Sequence, residues 1–219
     1  MYHVCLIPGL GIDQRIFKQL TLDIRFSQTV INWISPYPNE NLAHYAARLV
    51  NQVPQTGKLI LVGISFGGIM AVELYRLVNP ALIIIISSVK NQNELPWYYK
   101  PAGFLKLPYW LPLGWGKNLP WLQNFIFGAT TKSEKQLLRQ IIQELHVPYA
   151  KWALTQIASW QNRSLIPGLV HIQGTHDKLF PVKFLSNFIP VVEGEHLMIL
   201  SRGQEISDLI NAELQKLIK

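Results

Sequence analysis

The sequence predicts an α/β fold: a mostly parallel sheet of about six strands flanked by helices, with a helical or irregular segment inserted after the fourth strand. Three observations predict it. Apolar runs alternate with amphipathic ones, as strands and helices do in parallel sheets. The four isoleucines at 83–86 are typical of a strand that is buried on both faces. Residues 91–160 contain no strand candidate.

Six apolar runs are the candidate strands. They are YHVCLI, TVINWI, KLILVG, ALIIIIS, LVHIQG and FIPVV. Pro190 in the last run indicates an edge strand, where a missing N–H costs no ladder bond. Apolar residues recur at helical spacing from Leu42 to Val53 and from Ile206 to Leu217, which predicts two helices with core faces.

One segment departs from this alternation. Between Asn91 and about Trp160, closely spaced aromatic residues and prolines disfavour regular elements, except for helices expected near 133–145 and 148–160. We therefore predict a single structural domain, in which residues 1–90 and 161–219 form the core and residues 91–160 form an inserted lid. An apolar insertion of this kind must cover something or be covered.

The composition excludes several classes of protein. The 219 residues are 49% hydrophobic and 15% charged, which indicates an ordered globular chain. No window offers the roughly 18 apolar residues of a membrane span, and the N-terminal apolar run stops at Pro8, so we expect a soluble, cytoplasmic protein without an exported form. The net charge of +7 is spread along the chain, so no nucleic-acid partner is expected. Cys5, the single cysteine, is predicted to be an inert core thiol.

The strongest chemical signal is the segment Gly63-Ile64-Ser65-Phe66-Gly67. It lies where the strand KLILV ends and the helical pattern FGGIMAVELYRLV begins. The chain must reverse there within a few residues, so both flanking positions need glycine. Such a turn presents the Ser65 hydroxyl above the sheet edge and leaves the Phe66 N–H unpaired in the first helical turn. The alternative is an ordinary strand-to-helix turn with a capping serine.

A serine hydroxyl is a weak nucleophile that needs a base to accept its proton and an acid to orient that base. His196 is the preferred base, because EGEHLMIL places it in a loop after the last strand, at the same sheet edge as Ser65. His176 in QGTHDKLFP competes with it. The remaining histidines lie in strand or helix patterns or at a helix end: His3, His44, His146 and His171.

Asp177 is the preferred acid. It follows the strand LVHIQG and precedes Pro181, and a carboxylate at that position can reach a histidine one strand over. A helix-capping aspartate is the alternative. The fallback acids are Asp13, Asp23, Glu193 and Glu195.

The transition state of acyl transfer also needs two N–H donors for its oxyanion. The Phe66 N–H is one candidate. The second is the Leu10 N–H in IPGLG, where the first strand ends and glycines let the backbone approach a ligand closely. The alternative is a simple turn before a helix capped by Asp13.

Taken in order, IPGLG, GISFGG, GTHDKLFP and GEHLM resemble the α/β-hydrolase family over nearly the whole chain, as a compact serine esterase-like or thioesterase-like member. The resemblance implies that Ser65 is the nucleophile, Asp177 the acid and His196 the base. It also implies oxyanion donors at Phe66 and Leu10, and a lid function for the insertion.

The chain departs from the family pattern in three ways. Pro8-Gly9 stands where the family often has His-Gly. The first two antiparallel strands of the family have no counterpart, which leaves about six strands. The middle of the insertion resembles nothing that can be assigned, so the substrate stays open.

The function we expect is hydrolysis of carboxylic esters or thioesters of an apolar acyl group through a Ser65 acyl-enzyme, with no metal or cofactor. A lyase or acyltransferase with the same three residues, a non-catalytic binder of hydrophobic ligands and a membrane-surface binder are the alternatives. The expected pocket lining is aromatic: Trp97, Tyr98, Phe104, Trp110, Trp115, Trp121 and Phe125.

The expected partner is a small acyl substrate, which a carrier protein could deliver. Four lysines against one glutamate, Glu94, usually indicate a solvated lid face; the sharper hypothesis is a docking patch for an acidic acyl-carrier protein or an anionic acyl group. The lysines are Lys90, Lys100, Lys106 and Lys117. The oligomeric state is not predicted.

Overall fold

The computed structural model describes residues 1–110, 114 and 117–218. Their strands form one six-stranded sheet in the order β2-β1-β3-β4-β5-β6. The strands are β1 Tyr2–Ile7, β2 Ser27–Val30, β3 Lys58–Ile64, β4 Leu82–Ile86, β5 Val170–Gly174 and β6 Ile189–Val191. The predicted α/β class with a parallel sheet of six strands is confirmed.

The helices of the described residues either flank this sheet or lie in the segment between β4 and β5. They are α1 Leu42–Leu49, α2 Phe66–Val78, α3 Tyr99–Phe104, α4 Leu107–Trp110, α5 Pro120–Phe127, α6 Lys132–Glu144, α7 Val147–Ala158, α8 Met198–Ser201 and α9 Gly203–Lys216. Short 3₁₀ helices cover Gln14–Phe17, Val50–Gln52 and Val182–Phe184. In the described part of the chain, no helix combines the length and apolar character that crossing a membrane requires.

Every pair of neighbouring strands is parallel, so the carboxyl ends of all six strands lie at one edge of the sheet. At that edge Ile64 pairs with Ile86, Ile86 with Ile172, and Gly174 with Val191. The loops that follow β3, β4, β5 and β6 therefore emerge side by side. Loops at this edge are where open α/β sheets bind their ligands.

The sheet separates two apolar cores, and alternate residues of β3 enter opposite cores. Leu61 packs with α1, α2 and α7, whereas Ile60 and Val62 pack with α8 and α9. Burial on both faces explains why the strands are continuous apolar runs without alternation. Cys5 is fully buried in the first of these cores, and burial raises the pKa of its thiol to about 11.

Two details of the strands are informative. The edge position predicted from Pro190 is confirmed, because β6 is the last strand of the sheet. The boundary predicted from TVINWI is wrong, because β2 ends at Val30. Trp33 and Ile34 leave the ladder for other partners: the Trp33 indole N–H donates to Gly9 O and the Ile34 N–H to the Tyr45 hydroxyl.

Between β4 and β5 the described residues contain α3 to α7 and no strand. Helices α3 and α4 pack against α7 through small or flat residues. Gly103 is buried, and a Cβ there would overlap the backbone of Ala158. Pro108 is buried as well. The sides of α3 and α4 that face α7 are therefore not their aromatic sides.

Candidate active site

Ser65 lies at a strained turn between β3 and α2. Its backbone has φ 53° and ψ −119°, a conformation that residues other than glycine rarely adopt. Two hydrogen bonds hold the turn: the Ser65 N–H donates to Ile86 O at 2.9 Å, and the Ser88 hydroxyl donates to Ser65 O at 2.7 Å. These two hydrogen bonds hold Ser65 in a backbone conformation that would otherwise be energetically unfavourable.

Gly63 and Gly67, two residues before and two residues after Ser65, are required because neighbouring backbone atoms leave no room for a side chain at either position. A Cβ on Gly63 would overlap the carbonyl of Gly67. A Cβ on Gly67 would overlap the carbonyl oxygens of Ile7 and Pro8 at the end of β1. Only hydrogen fits at either site, which is the requirement predicted from the sequence.

Three polar side chains from separate loops meet at this turn. His196 Nε2 lies 3.0 Å from Ser65 Oγ, and His196 Nδ1 lies 2.9 Å from Asp177 Oδ2. His196 and Asp177 are only 2% and 3% exposed, so solvent does not compete for these bonds. The arrangement connects a hydroxyl, an imidazole and a carboxylate in one line, and it can move a proton from the hydroxyl to the imidazole.

The Asp177 carboxylate is held on both oxygens. Oδ1 accepts the N–H of Leu179 at 2.8 Å and the N–H of Phe180 at 3.0 Å, so the residue also makes the local capping bonds considered above. Burial alone would raise the pKa of Asp177. The charge and hydrogen bond of His196, together with the two N–H donors, outweigh that effect and hold the pKa below its usual value.

The IPGLG turn lies directly beside the serine. A Cβ on Gly9 would lie 3.6 Å from Ser65 Cβ. Within the described residues, neither the Leu10 N–H nor the Phe66 N–H donates to a protein acceptor. Asp13, which follows this turn, caps the 3₁₀ helix at Gln14–Phe17 as the alternative reading expected. The turn thus provides both a cap and free N–H groups near Ser65.

Two phenylalanines that the sequence did not single out flank the His196 ring. The ring centroids of Phe127 and Phe180 lie 5.8 and 5.7 Å from that of His196. Phe127 ends α5, and its carbonyl accepts the N–H of Leu197 at 3.1 Å. The insertion therefore contacts the loop that carries the imidazole.

The competing histidine and acids lie elsewhere. His176 is exposed, because its backbone turns away to donate its N–H to Gly194 O. Each fallback acid forms an ion pair with a basic residue: Asp13 with Arg15, Asp23 with Arg25, Glu193 with Arg202 and Glu195 with Lys178. None of these ion pairs includes Ser65 or His196.

The structure does not place the expected aromatic lining in an enclosed pocket. The side chains are 40% to 87% exposed at Trp97, Tyr98, Phe104, Trp110, Trp121 and Phe125, whereas Trp115 lies outside the described residues. For Phe104 and Trp110 the reason is the packing of α3 and α4 on α7 through Gly103 and Pro108, which leaves these two side chains on the outward sides of their helices. On α5, Trp121 and Phe125 are four residues apart and share the exposed face.

Two of the four lysines proposed for a docking patch are engaged within the chain. Lys90 pairs with the buried Glu94 and donates to the carbonyls of Ser186 and Asn187. Lys117 donates to the carbonyls of Gln143 and Leu145, near the end of α6. Lys100 and Lys106 stay exposed.

The course of the backbone is similar to that of several solved structures. The chain is similar to the esterase RhEst1 from Rhodococcus sp. ECU1013, with a TM-score of 0.70 and 13% identity over 98% of this chain and 90% of that one. It is similar to a thermophilic esterase from Thermogutta terrifontis, with a TM-score of 0.69 and 16% identity over 99% and 90%. It is also similar to a bromoperoxidase from Bacillus anthracis, with a TM-score of 0.69 and 14% identity over 98% and 92%.

No protein-family model and no curated protein sequence matches the chain. The likeness therefore rests on the course of the backbone, which is shared over nearly the full length of both partners in each comparison. The chain has the α/β-hydrolase fold.

Proposed function

We propose that the chain is a serine hydrolase that cleaves carboxylic esters or thioesters of apolar acyl groups. The observation that carries the proposal is the unbroken line of hydrogen-bonding contacts from Ser65 through His196 to Asp177. The same line lies next to two N–H groups, at Leu10 and Phe66, that have no protein acceptor in the described residues. A nucleophile, a base, an orienting acid and oxyanion donors are the parts that acyl transfer requires.

In the first step, His196 Nε2 accepts the Ser65 proton while Oγ attacks the acyl carbonyl carbon. The oxyanion that forms accepts hydrogen bonds from the Leu10 and Phe66 N–H groups. Asp177 stabilises the imidazolium, which then returns its proton to the departing alcohol or thiol as the acyl-enzyme forms. In the second step, His196 takes a proton from water, the resulting hydroxide attacks the acyl carbon, and Ser65 leaves with the proton.

An apolar acyl group is supported by the side chains around the base. Phe127 and Phe180 present aromatic surface next to the His196 ring.

We also propose that residues 91–160 act as a lid. Contacts with the catalytic loops support this role: the Tyr99 hydroxyl donates to Leu179 O at 3.0 Å, and Phe127 O accepts the Leu197 N–H. An acyl group delivered by an acidic carrier protein would meet the exposed Lys100 and Lys106 on this segment. In that case turnover of the carrier-bound thioester falls with added salt, whereas turnover of the free ester does not.

The test is a chain-length series of p-nitrophenyl esters and of matching thioesters, assayed with the wild type and with Ser65→Ala. We expect turnover that depends on chain length and falls at least about 10³-fold in the variant. Ser201→Ala is the matched control, because this exposed serine lies on α8 and is not part of the line to Asp177. A Ser65→Ala variant as active as the wild type contradicts the proposal, as does a wild type without turnover. Product formation on an added alcohol instead of water would reassign the chain as an acyltransferase.

A further inference from the structure

Strand β5 carries two polar side chains, His171 and Gln173, that are buried in the protein interior. His171 and Gln173 are 1% and 0% exposed, and they point to the same face because Ile172 between them points to the other. An aliphatic residue at either position would suit a buried strand equally well. Buried polar groups persist where they are hydrogen-bonded, so their partners indicate what they do.

The Gln173 amide has one possible orientation. Its Nε2 donates to Asp177 Oδ2 at 2.9 Å and to Phe180 O at 2.9 Å, and both of these atoms are acceptors. The amide oxygen must therefore face the other way, where His171 Nε2 lies 3.1 Å from it. Because the amide oxygen only accepts, His171 must carry a proton on Nε2.

Asp177 Oδ2 is thus shared by two donors, Gln173 and His196, whereas Oδ1 takes the backbone N–H groups of Leu179 and Phe180. The four donors use the full acceptor capacity of the carboxylate. Gln173 is the donor that shares Asp177 Oδ2 with His196. It therefore fixes the direction from which Oδ2 faces the imidazole.

We propose that Gln173, oriented by His171, is a positioning residue for the Asp177–His196 pair. The inference rests on the proposed function, because it concerns the acid and base of that reaction. The hydrogen-bonded line then runs through five side chains, from Ser65 to His171. Gln173 also bridges the segment 177–180, because its amide nitrogen donates both to the carboxylate of Asp177 and to the carbonyl of Phe180.

The second donor on Oδ2 also has an electrostatic effect. It takes up part of the carboxylate charge that would otherwise stabilise the imidazolium of His196. Without Gln173, the carboxylate of Asp177 has three donors instead of four, and its charge is concentrated on the bond to His196.

Several other titratable groups face this network. The phenols of Tyr98 and Tyr99 face Asp177, and the ion pair of Lys178 with Glu195 lies on the neighbouring loops. Lys90 and Glu94 face His171 from the segment after β4. A displacement of any of these groups would also change the pH profile.

The decisive variant is Gln173→Leu, which removes the donor and keeps most of the volume. With enzyme concentration set by active-site titration, we expect kcat for a p-nitrophenyl ester to fall about tenfold or more and KM to change less than about twofold. We expect the acid limb of the kcat/KM profile to move up by at least about half a pH unit.

Ile172→Val is the matched control, because it weakens packing on the opposite face of the same strand without touching Asp177. It should leave kcat and the pH profile of the titrated enzyme unchanged. If Gln173→Leu behaves like this control, the proposal is overturned and Gln173 is only structural.

Nuclear magnetic resonance of the chain labelled with ¹⁵N at histidine tests the same inference without any substrate. We expect His171 of the wild type to be the Nε2–H tautomer, and the ¹⁵N chemical shifts of the His196 ring to differ between Gln173→Leu and the wild type. An Nδ1–H tautomer of His171 in the wild type overturns the proposal even where Gln173→Leu does not fold, and unchanged His196 shifts in folded Gln173→Leu overturn it as well. A wild type that hydrolyses nothing defeats the proposed function alone, because this measurement still decides the positioning role.

Discussion

The indole N–H of Trp33 donates a hydrogen bond of 2.8 Å to the carbonyl oxygen of Gly9. That carbonyl belongs to the same planar trans peptide as the Leu10 N–H, so the two groups point in opposite directions. Trp33 therefore helps to fix the orientation of a candidate oxyanion donor, together with the Ile12 N–H, which donates to the same oxygen at 3.1 Å. The Trp33 ring also packs 5.2 Å from the ring of Phe66, the residue that carries the other donor.

Replacing Trp33 by Phe should lower kcat about tenfold while KM changes little, because the peptide that carries the Leu10 N–H loses one of its two hydrogen bonds and that N–H acts mainly in the transition state. Steady-state kinetics on a p-nitrophenyl ester checks this. Trp160→Phe is the control: Trp33 is half-buried and Trp160 is buried, and Trp160 likewise donates its indole N–H at 2.8 Å, but to Glu73. Equal losses of kcat in both variants would show that Trp33 has no specific role.

The backbone strain at Ser65 predicts an unusual ranking of two inactive variants. Glycine adopts φ 53° without a Cβ penalty, so Ser65→Gly should be about 1 kcal/mol more stable than Ser65→Ala, although both lose the hydroxyl. Urea unfolding of the two variants measures this difference. At the exposed Ala212 in α9 the order should reverse, and Ala212→Gly should cost about 1 kcal/mol. If Ser65→Gly is the less stable of the pair, the backbone at residue 65 is not strained.

His171 predicts a loss of stability in mild acid. Burial is the main cause that lowers the pKa of His171 to about 4, with Glu94 and Gln173 acting against it. An unfolded histidine titrates near 6.5, so between about pH 6.5 and 4 the unfolded chain binds a proton that the folded chain excludes. The free energy of unfolding therefore falls as the pH falls through this window, by on the order of 2 kcal/mol from this residue.

His171→Gln separates this contribution from that of the other histidines. The substituted amide can still donate to Gln173 but does not titrate. Its free energy of unfolding, from urea denaturation at several pH values, should fall less steeply than that of the wild type between pH 6.5 and 4. Parallel curves for the two proteins would mean that His171 is not held neutral in the folded state.

Cys5 should be unreactive in the native protein. It is 0% exposed in the middle of β1, and burial raises the pKa of its thiol to about 11, so almost no thiolate is present near neutral pH. A chromogenic disulfide reagent should therefore react only as fast as the chain unfolds, and at once in denaturant. Full reaction within seconds under native conditions would contradict the packing of β1.

Local constraints made part of the site predictable from the sequence. The turn at Ser65 follows from glycines that backbone crowding requires at Gly63 and Gly67. The meeting of Asp177 with His196 follows from topology, because parallel strands release their following loops at one edge. Neither inference needed a knowledge of distant packing.

Other features depend on three-dimensional packing and were beyond the sequence. Whether Trp110 faces inward depends on Pro108, which takes the contact with α7 and leaves Trp110 82% exposed. The role of Gln173 depends on the path of the loop after β5, which brings the carboxylate of Asp177, four residues later, back to the Gln173 amide. A signal was present, however: polar residues at alternate positions of a strand that is otherwise apolar indicate a shared polar partner.

The central claim is that Ser65 is activated by His196 and Asp177. Its most direct measurement is reaction of the native protein with a fluorophosphonate, followed by intact mass and peptide mapping. The account predicts one phosphonyl group per chain, on Ser65, with labelling slowed at least about 10²-fold in His196→Ala. An unmodified wild type, or a label on another residue, would contradict it.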